Sequence, residues 1–236
     1  MDYCNTKNLI RDLGLYIKKI DASKTDCMLY WKDDIDLDYF KFCREVRYKP
    51  TRERNPTRKN TLYAILRYLL ITPRLQRLYA SKAIIEQMTW HANHQTDEGF
   101  MCHLSAWRHF DWTYPNFAAK PRNVRLYLCT DEFAPHGQYG HTYSCWPITL
   151  TLYNLPLGIC MSSDYMFLKM VIHGPFNPKH LIVVYLVPLI KELQNLWHVG
   201  VLTRDSVKNE TFTIRAALMW TVHDLPLMGW VWMEFR

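Results

Sequence analysis

Two aspartates stand where carboxylates can meet a metal ion. Asp131 follows the apolar run Val124-Arg125-Leu126-Tyr127-Leu128-Cys129 and precedes Glu132-Phe133-Ala134-Pro135-His136-Gly137. Asp224 closes the later run Thr211 to Val222 and lies just before Pro226. An Asp at a strand end ahead of a Pro or Gly turn is commonly a turn former and nothing more. If the two runs are neighbouring strands of one sheet, the carboxylates converge on one edge as oxygen donors for a hard divalent cation such as Mg²⁺. Ions held in this way activate a water or hydroxyl and stabilise the leaving oxygen in phosphodiester chemistry.

The remaining reactive residue types carry weaker patterns. A structural zinc site takes four ligands, usually in closely spaced Cys pairs, whereas Cys27 and Cys43 each stand without a near partner. Cys4, Cys102, Cys129, Cys145 and Cys160 sit among apolar neighbours and read as small core residues. His91 and His94 have helical i, i+3 spacing, with His103 and His109 beyond, but no carboxylate-paired metal motif accompanies them, so they read as core or surface histidines. There is no phosphate-cradling glycine loop, nucleophile elbow or kinase signature, which leaves nucleophilic catalysis without support. The segment from Arg47 to Asn60 concentrates Arg47, Lys49, Arg52, Arg54, Arg58 and Lys59 with one acid and two prolines. It reads as an exposed basic linker, and DNA-backbone contact is its functional alternative. A net charge of +7 and a pI near 9.0 favour a polyanionic partner, because cations that neutralise phosphates gain from counterion release.

The elements that must position these residues are legible in outline. With 49% hydrophobic residues and 236 positions, the chain can bury a sizeable core. Residues 1–46 read as a short helical lead, with Leu9, Ile10, Leu13 and Ile17 on one face, followed by a Cys-containing segment from Asp26 to Arg44. Residues 47–60 form the basic linker. Residues 61–120 read as helical, with Leu66, Leu69 and Leu70 before a break at Thr72-Pro73 and Leu75, Leu78 and Ile85 after it. From 121 to 236 strands lead: Val124 to Cys129, Cys145 to Tyr153 and Tyr165 to Ile172, then a helix from Leu181 to Val199 ending at Gly200, then Thr211 to Val222. That order predicts an α/β fold with a mixed sheet and flanking helices. The longest apolar stretch, Leu181 to Ile190, falls short of the roughly 20 residues a membrane span needs. No apolar signal segment opens the chain, so its seven cysteines are expected in a reducing compartment.

Taken in order, several stretches resemble the transposases of CACTA (En/Spm-type) plant DNA transposons. They include Leu70-Ile71-Thr72-Pro73-Arg74-Leu75-Gln76-Arg77-Leu78-Tyr79, Trp107-Arg108-His109-Phe110-Asp111, Pro121-Arg122-Asn123-Val124-Arg125-Leu126, Tyr143-Ser144-Cys145-Trp146-Pro147 and Glu210-Thr211-Phe212-Thr213-Ile214-Arg215-Ala216-Ala217-Leu218. The resemblance implies an RNase H-like catalytic domain with an Asp-Asp-Glu triad that cuts and joins DNA at transposon ends in the nucleus. By the same resemblance Asp131 and Asp224 are the first two carboxylates of that triad and ligands of the divalent cation.

This sequence also departs from the family pattern. Glu132 replaces a glycine after the first Asp and adds negative charge there. Ser23 and Phe40 replace the partners of Cys27 and Cys43 in the family's zinc knuckle; Phe has no donor atom, so zinc binding is expected to be lost, with much of the roughly 10–16 kcal/mol a structural zinc supplies. No residue takes the place of the Glu, and Glu234 does not sit in its context. The resemblance therefore implies a truncated, catalytically inactive transposase. Two alternatives are a non-enzymatic DNA-binding module or transposase subunit, and a non-functional pseudogene product.

Overall fold

The computed structural model describes residues 16–25, 27–41, 44–50, 60–93, 105–134, 143–174, 178 and 181–222. The first sheet is antiparallel, in the order β2-β1-β3, from β1 (Ile17–Ala22), β2 (Leu29–Tyr30) and β3 (Ala64–Leu69). Full pairing from Ile17 opposite Leu69 to Ala22 opposite Ala64 buries Ile20, Ala22, Leu66 and Tyr68 on one face. Two helical expectations are corrected here. Ile17, of the expected first helix, lies on a strand, while Leu9, Ile10 and Leu13 lie outside the described residues; Leu66 and Leu69 also lie on a strand. Their i, i+3 spacing suits a helix, but buried Leu66 and Tyr68 flanking exposed Arg67 suit a pleat, and the partner strand decides between them.

The basic segment leaves and re-enters this region at one point. Tyr48 bridges Leu62, and the Lys49 amide donates to the Thr61 carbonyl at 2.7 Å, so its two ends are joined. Pro73 starts a helix rather than breaking one: α1 (Thr72–Ala80) carries it in the first turn, where a missing N–H costs nothing. Short helices α2 (Lys82–Met88), α3 (Trp90–Asn93), α4 (Ser105–Thr113) and α5 (Pro115–Ala118) follow.

The second sheet has the order β6-β5-β4-β9. Three consecutive strands, β4 (Val124–Thr130), β5 (Cys145–Leu152) and β6 (Met166–His173), pair antiparallel in turn; the single-turn α6 (Leu157–Cys160) lies between the last two. Helix α7 (Ile182–His198) then leads back, and β9 (Ala216–Val222) lies parallel to β4. Leu126, Leu128, Ile148, Leu150 and Met170 share one core cluster with Ile182, Leu186, Leu189 and Leu193 of α7. Each such side chain contributes about 1.5–3 kcal/mol by leaving water. The same cluster extends through Ile20, Leu66, Tyr68 and Leu75, so both sheets share a core.

Between α7 and β9 lies a hairpin, β7 (Val201–Asp205) and β8 (Glu210–Ile214), paired from Val201 opposite Ile214. The expected single run from Thr211 to Val222 is thus two strands parted at Arg215. Asn123 holds the parting: its side-chain oxygen accepts the Arg215 amide at 3.2 Å, while the Val124 amide donates to the Arg215 carbonyl at 2.8 Å. Gly200, at φ +78°, turns the chain from α7 into β7; a Cβ there would lie 2.5 Å from the Ile214 carbonyl oxygen.

Candidate functional site

Asp131 is exposed at the end of β4, on the one strand with neighbours of both directions. Its Oδ1 accepts the Glu132 amide at 2.7 Å, which leaves Oδ2 without a protein partner among the described residues. The Glu132 carboxylate turns to the Ser144 hydroxyl, and Phe133 pairs with Cys145 through bonds of 2.8 and 2.7 Å. These contacts fasten the segment after β4 to the start of β5. Across the sheet, Val222 lies opposite Cys129 in the parallel register of β4 and β9. Asp131 and Asp224 each follow those paired residues by two positions. Asp224 itself lies outside the described residues, and among the described residues no group of three acidic, His or Cys side chains is placed to hold a metal.

At the start of β4, the other end of the strand from Asp131, lies a buried polar cluster that sequence reasoning did not single out. Arg125, 1% exposed and in the middle of an apolar run, projects from β4 onto α4. Its guanidinium donates to Asp111 at 2.7 Å, stacks 4.6 Å from the Trp107 ring and 5.4 Å from Phe117, and lies 3.4 Å from His91 Nε2. Asp111 also accepts from the Trp107 indole at 3.0 Å. Burial and then the Arg125 charge push His91 down to about 4, so it is neutral at physiological pH. His91 is therefore a core histidine, while His109 is exposed against Trp112; His94 and His103 lie outside the described residues. Asn154 adds a second tie: its oxygen accepts the Arg125 amide at 2.7 Å and its amide donates to Asn123 O at 2.8 Å. The signal for this cluster was available, since Asp111 and Arg125 each fall inside a stretch singled out above.

A second buried cluster joins the two sheets. Lys169 of β6 is fully buried, donates to the Leu69 carbonyl and lies 3.5 Å from Glu192 of α7. The Glu192 Oε1 accepts the Ile71 and Thr72 amides, both at 3.0 Å, and the Thr72 hydroxyl at 2.9 Å, capping α1 from another helix; Oε2 accepts from Tyr68. Burial alone would raise the Glu192 carboxyl, but Lys169, Tyr68 and the two amides outweigh it and hold it low. Burial pushes Lys169 down to about 8 against the pull of Glu192.

The other candidate residues are distributed as follows. At the corner read as a former zinc knuckle, the Ser23 hydroxyl accepts the Cys27 and Met28 amides at 3.0 and 3.2 Å, and Phe40 is buried against Met28 and Tyr30, with Cys27 at the edge of that cluster. Cys43 lies outside the described residues. Arg47, expected as a DNA contact, is spent on structure: it donates to Asp21 at 2.5 and 2.9 Å and to the Ile35 and Leu37 carbonyls at 2.6 and 3.1 Å. Lys49 is exposed, and Arg52, Arg54, Arg58 and Lys59 lie outside the described residues. No described helix is long and apolar enough to cross a membrane.

A family model described as transposase family tnp2 matches residues 99–232, more than half of the chain. No curated protein and no solved structure matches it.

Proposed function

Because the chain belongs to transposase family tnp2, we propose that it is a transposase-derived, DNA-binding protein of a CACTA (En/Spm-type) element that acts in the nucleus. We further propose that its second sheet is an RNase H-like scaffold for Asp131 and Asp224. One observation carries the reading. Three consecutive antiparallel strands, a helix, a hairpin and then a strand parallel to the first put Val222 opposite Cys129, and in the sequence each aspartate follows one of these two residues by two positions.

The residues present fit a hard cation in part. Asp131 offers an exposed oxygen at a strand end fastened on both sides, and a carboxylate at position 224 would complete a pair. A bound Mg²⁺ or Mn²⁺ would supply activation of a water or hydroxyl and neutralise charge on the phosphodiester. Glu132 adds a negative charge beside Asp131, with its carboxylate committed to Ser144. This reading assigns no third carboxylate, and two hold such an ion weakly, so strand transfer is expected to be absent. The former knuckle corner is proposed to be zinc-free: Ser23 is used by backbone amides and Phe40 by the core.

The test is nicking of a DNA duplex carrying element ends, with Mg²⁺ or Mn²⁺, beside the Asp131→Ala/Asp224→Ala double variant. DNA binding without nicking is the expected result. Nicking by the wild type that the double variant abolishes would overturn the inactivity and retain the metal site. Absence of DNA binding would overturn the reading as a whole.

A further inference from the structure

The stretch Leu70 to Tyr79 keeps one cation that the fold does not use. Within α1, Leu75 is fully buried, Gln76 donates to Leu202 O at 2.9 Å and Tyr79 donates to Arg122 O at 2.8 Å. Arg74 donates to Leu168 O at 3.2 Å and stacks 5.1 Å from the Phe167 ring. Arg77, one turn further on, is exposed and has no hydrogen-bond or ion-pair partner among the described residues. The two guanidiniums border one cleft of about 330 Å³ between α1 and the start of β6, lined also by Ser81, Ser163, Asp164 and Phe167. Burial, and after it the neighbouring Arg77 charge, lower the Arg74 pKa. Asp164 lies on the rim, exposed and without an ion pair among the described residues.

From this arrangement we infer that the cleft between α1 and β6 binds a backbone phosphodiester of a DNA strand, with Arg77 and Arg74 as its cationic ligands. The parts divide the work. Arg74 is held by a carbonyl and a ring, so it is pre-positioned and loses little freedom on binding. Arg77 is free to close on the anion, and the Ser81 and Ser163 hydroxyls are neutral donors. The apolar wall around Phe167 and the room beyond a single phosphate suit the attached sugar. This contact reads no bases, and it lies at the start of β6, away from the Asp131 edge. The inference rests on the DNA-binding reading above.

The experiment is fluorescence anisotropy of a labelled duplex of arbitrary sequence, titrated with wild type, Arg77→Gln, Arg77→Lys and Asp164→Asn between about 50 and 200 mM salt. Each phosphate neutralised contributes about −0.9 to the slope of log K against log salt. Arg77→Gln is expected to bind more weakly at low salt with a slope shallower by about 0.9, so that it loses about threefold less affinity across that range. Arg77→Lys should keep the wild-type slope, and Asp164→Asn should bind more tightly. All should melt as the wild type does, because neither side chain has a structural partner. An unchanged slope in Arg77→Gln, with DNA binding intact, overturns this inference alone. Inorganic phosphate that binds the wild type but not Arg77→Gln, without displacing the duplex at matched ionic strength, makes the cleft a free-phosphate site and also overturns it. A wild type that binds no duplex overturns both this inference and the proposed function.

Discussion

Removing the charge of Asp111 while keeping its shape, as in Asp111→Asn, strands the Arg125 guanidinium. Arg125 is 1% exposed, and its desolvation cost persists whether or not Asp111 is ionised. What remains to it is the Trp107 and Phe117 rings and a long 3.4 Å approach to His91 Nε2. Its own Nε already lacks a partner among the described residues. Breaking a buried pair by removing one member costs about 3–5 kcal/mol. Asp111 is itself 31% exposed, so water screens part of its attraction and the lower end applies, about 3 kcal/mol. Against a typical total of about 5–15 kcal/mol, that is a large share of the stability. Urea unfolding followed by tryptophan fluorescence measures it. The double variant Asp111→Asn/Arg125→Met should recover most of the loss, because an apolar side chain of similar length removes the stranded charge. A loss under about 1 kcal/mol for Asp111→Asn, within the range of exposed pairs, would refute the argument.

Two other perturbations probe the same framework. His91 titrates at about 4 in the folded chain against about 6.5 unfolded, so neither state carries its proton above pH 6.5. Between pH 6.5 and 4 only the unfolded chain takes the proton up. Stability should therefore fall by about 3 kcal/mol on acidification through that window, and His91→Phe should remove this part of the loss in urea midpoints measured across pH. Gly200→Ala forces a Cβ to within 2.5 Å of a backbone oxygen at φ +78°, and should cost more than about 1 kcal/mol in the same assay.

The half of the fold after residue 121 was legible because its strands and helix keep simple patterns. Val124 to Thr130, Cys145 to Leu152 and Met166 to His173 are apolar runs with clear ends, and α7 stops at a glycine. The place of Asp131 just past a strand end was legible for the same reason. The hairpin strand β7 was not legible, because it inverts the usual rule: Thr203 and Asp205 are buried while Leu202 is 65% exposed. Asp205 can be buried because its own turn satisfies it, through the Val207 and Lys208 amides at 2.9 Å each. Strand β3 was mistaken for helix because six residues can satisfy both periodicities, and only β1, far away in sequence, chooses between them. The ties of Arg47 were not legible, since composition marks a basic segment but cannot tell which of its cations the fold pairs with Asp21.

The tie between Lys169, Glu192 and the start of α1 separates two boundaries that are easily equated. The family match begins at residue 99, but the shared core begins at Ile20. A chain cut at the match would lose Leu66, Tyr68, Leu75 and Tyr79 from the shared core. It would also leave Lys169 facing no Leu69 carbonyl and Glu192 no amides to cap. Local opening of the first sheet is therefore coupled to the strands that carry the aspartates, and the two sheets should exchange their amide hydrogens as parts of one foldon. Homology marks what was inherited together; the buried Lys–Glu pair marks what must fold together.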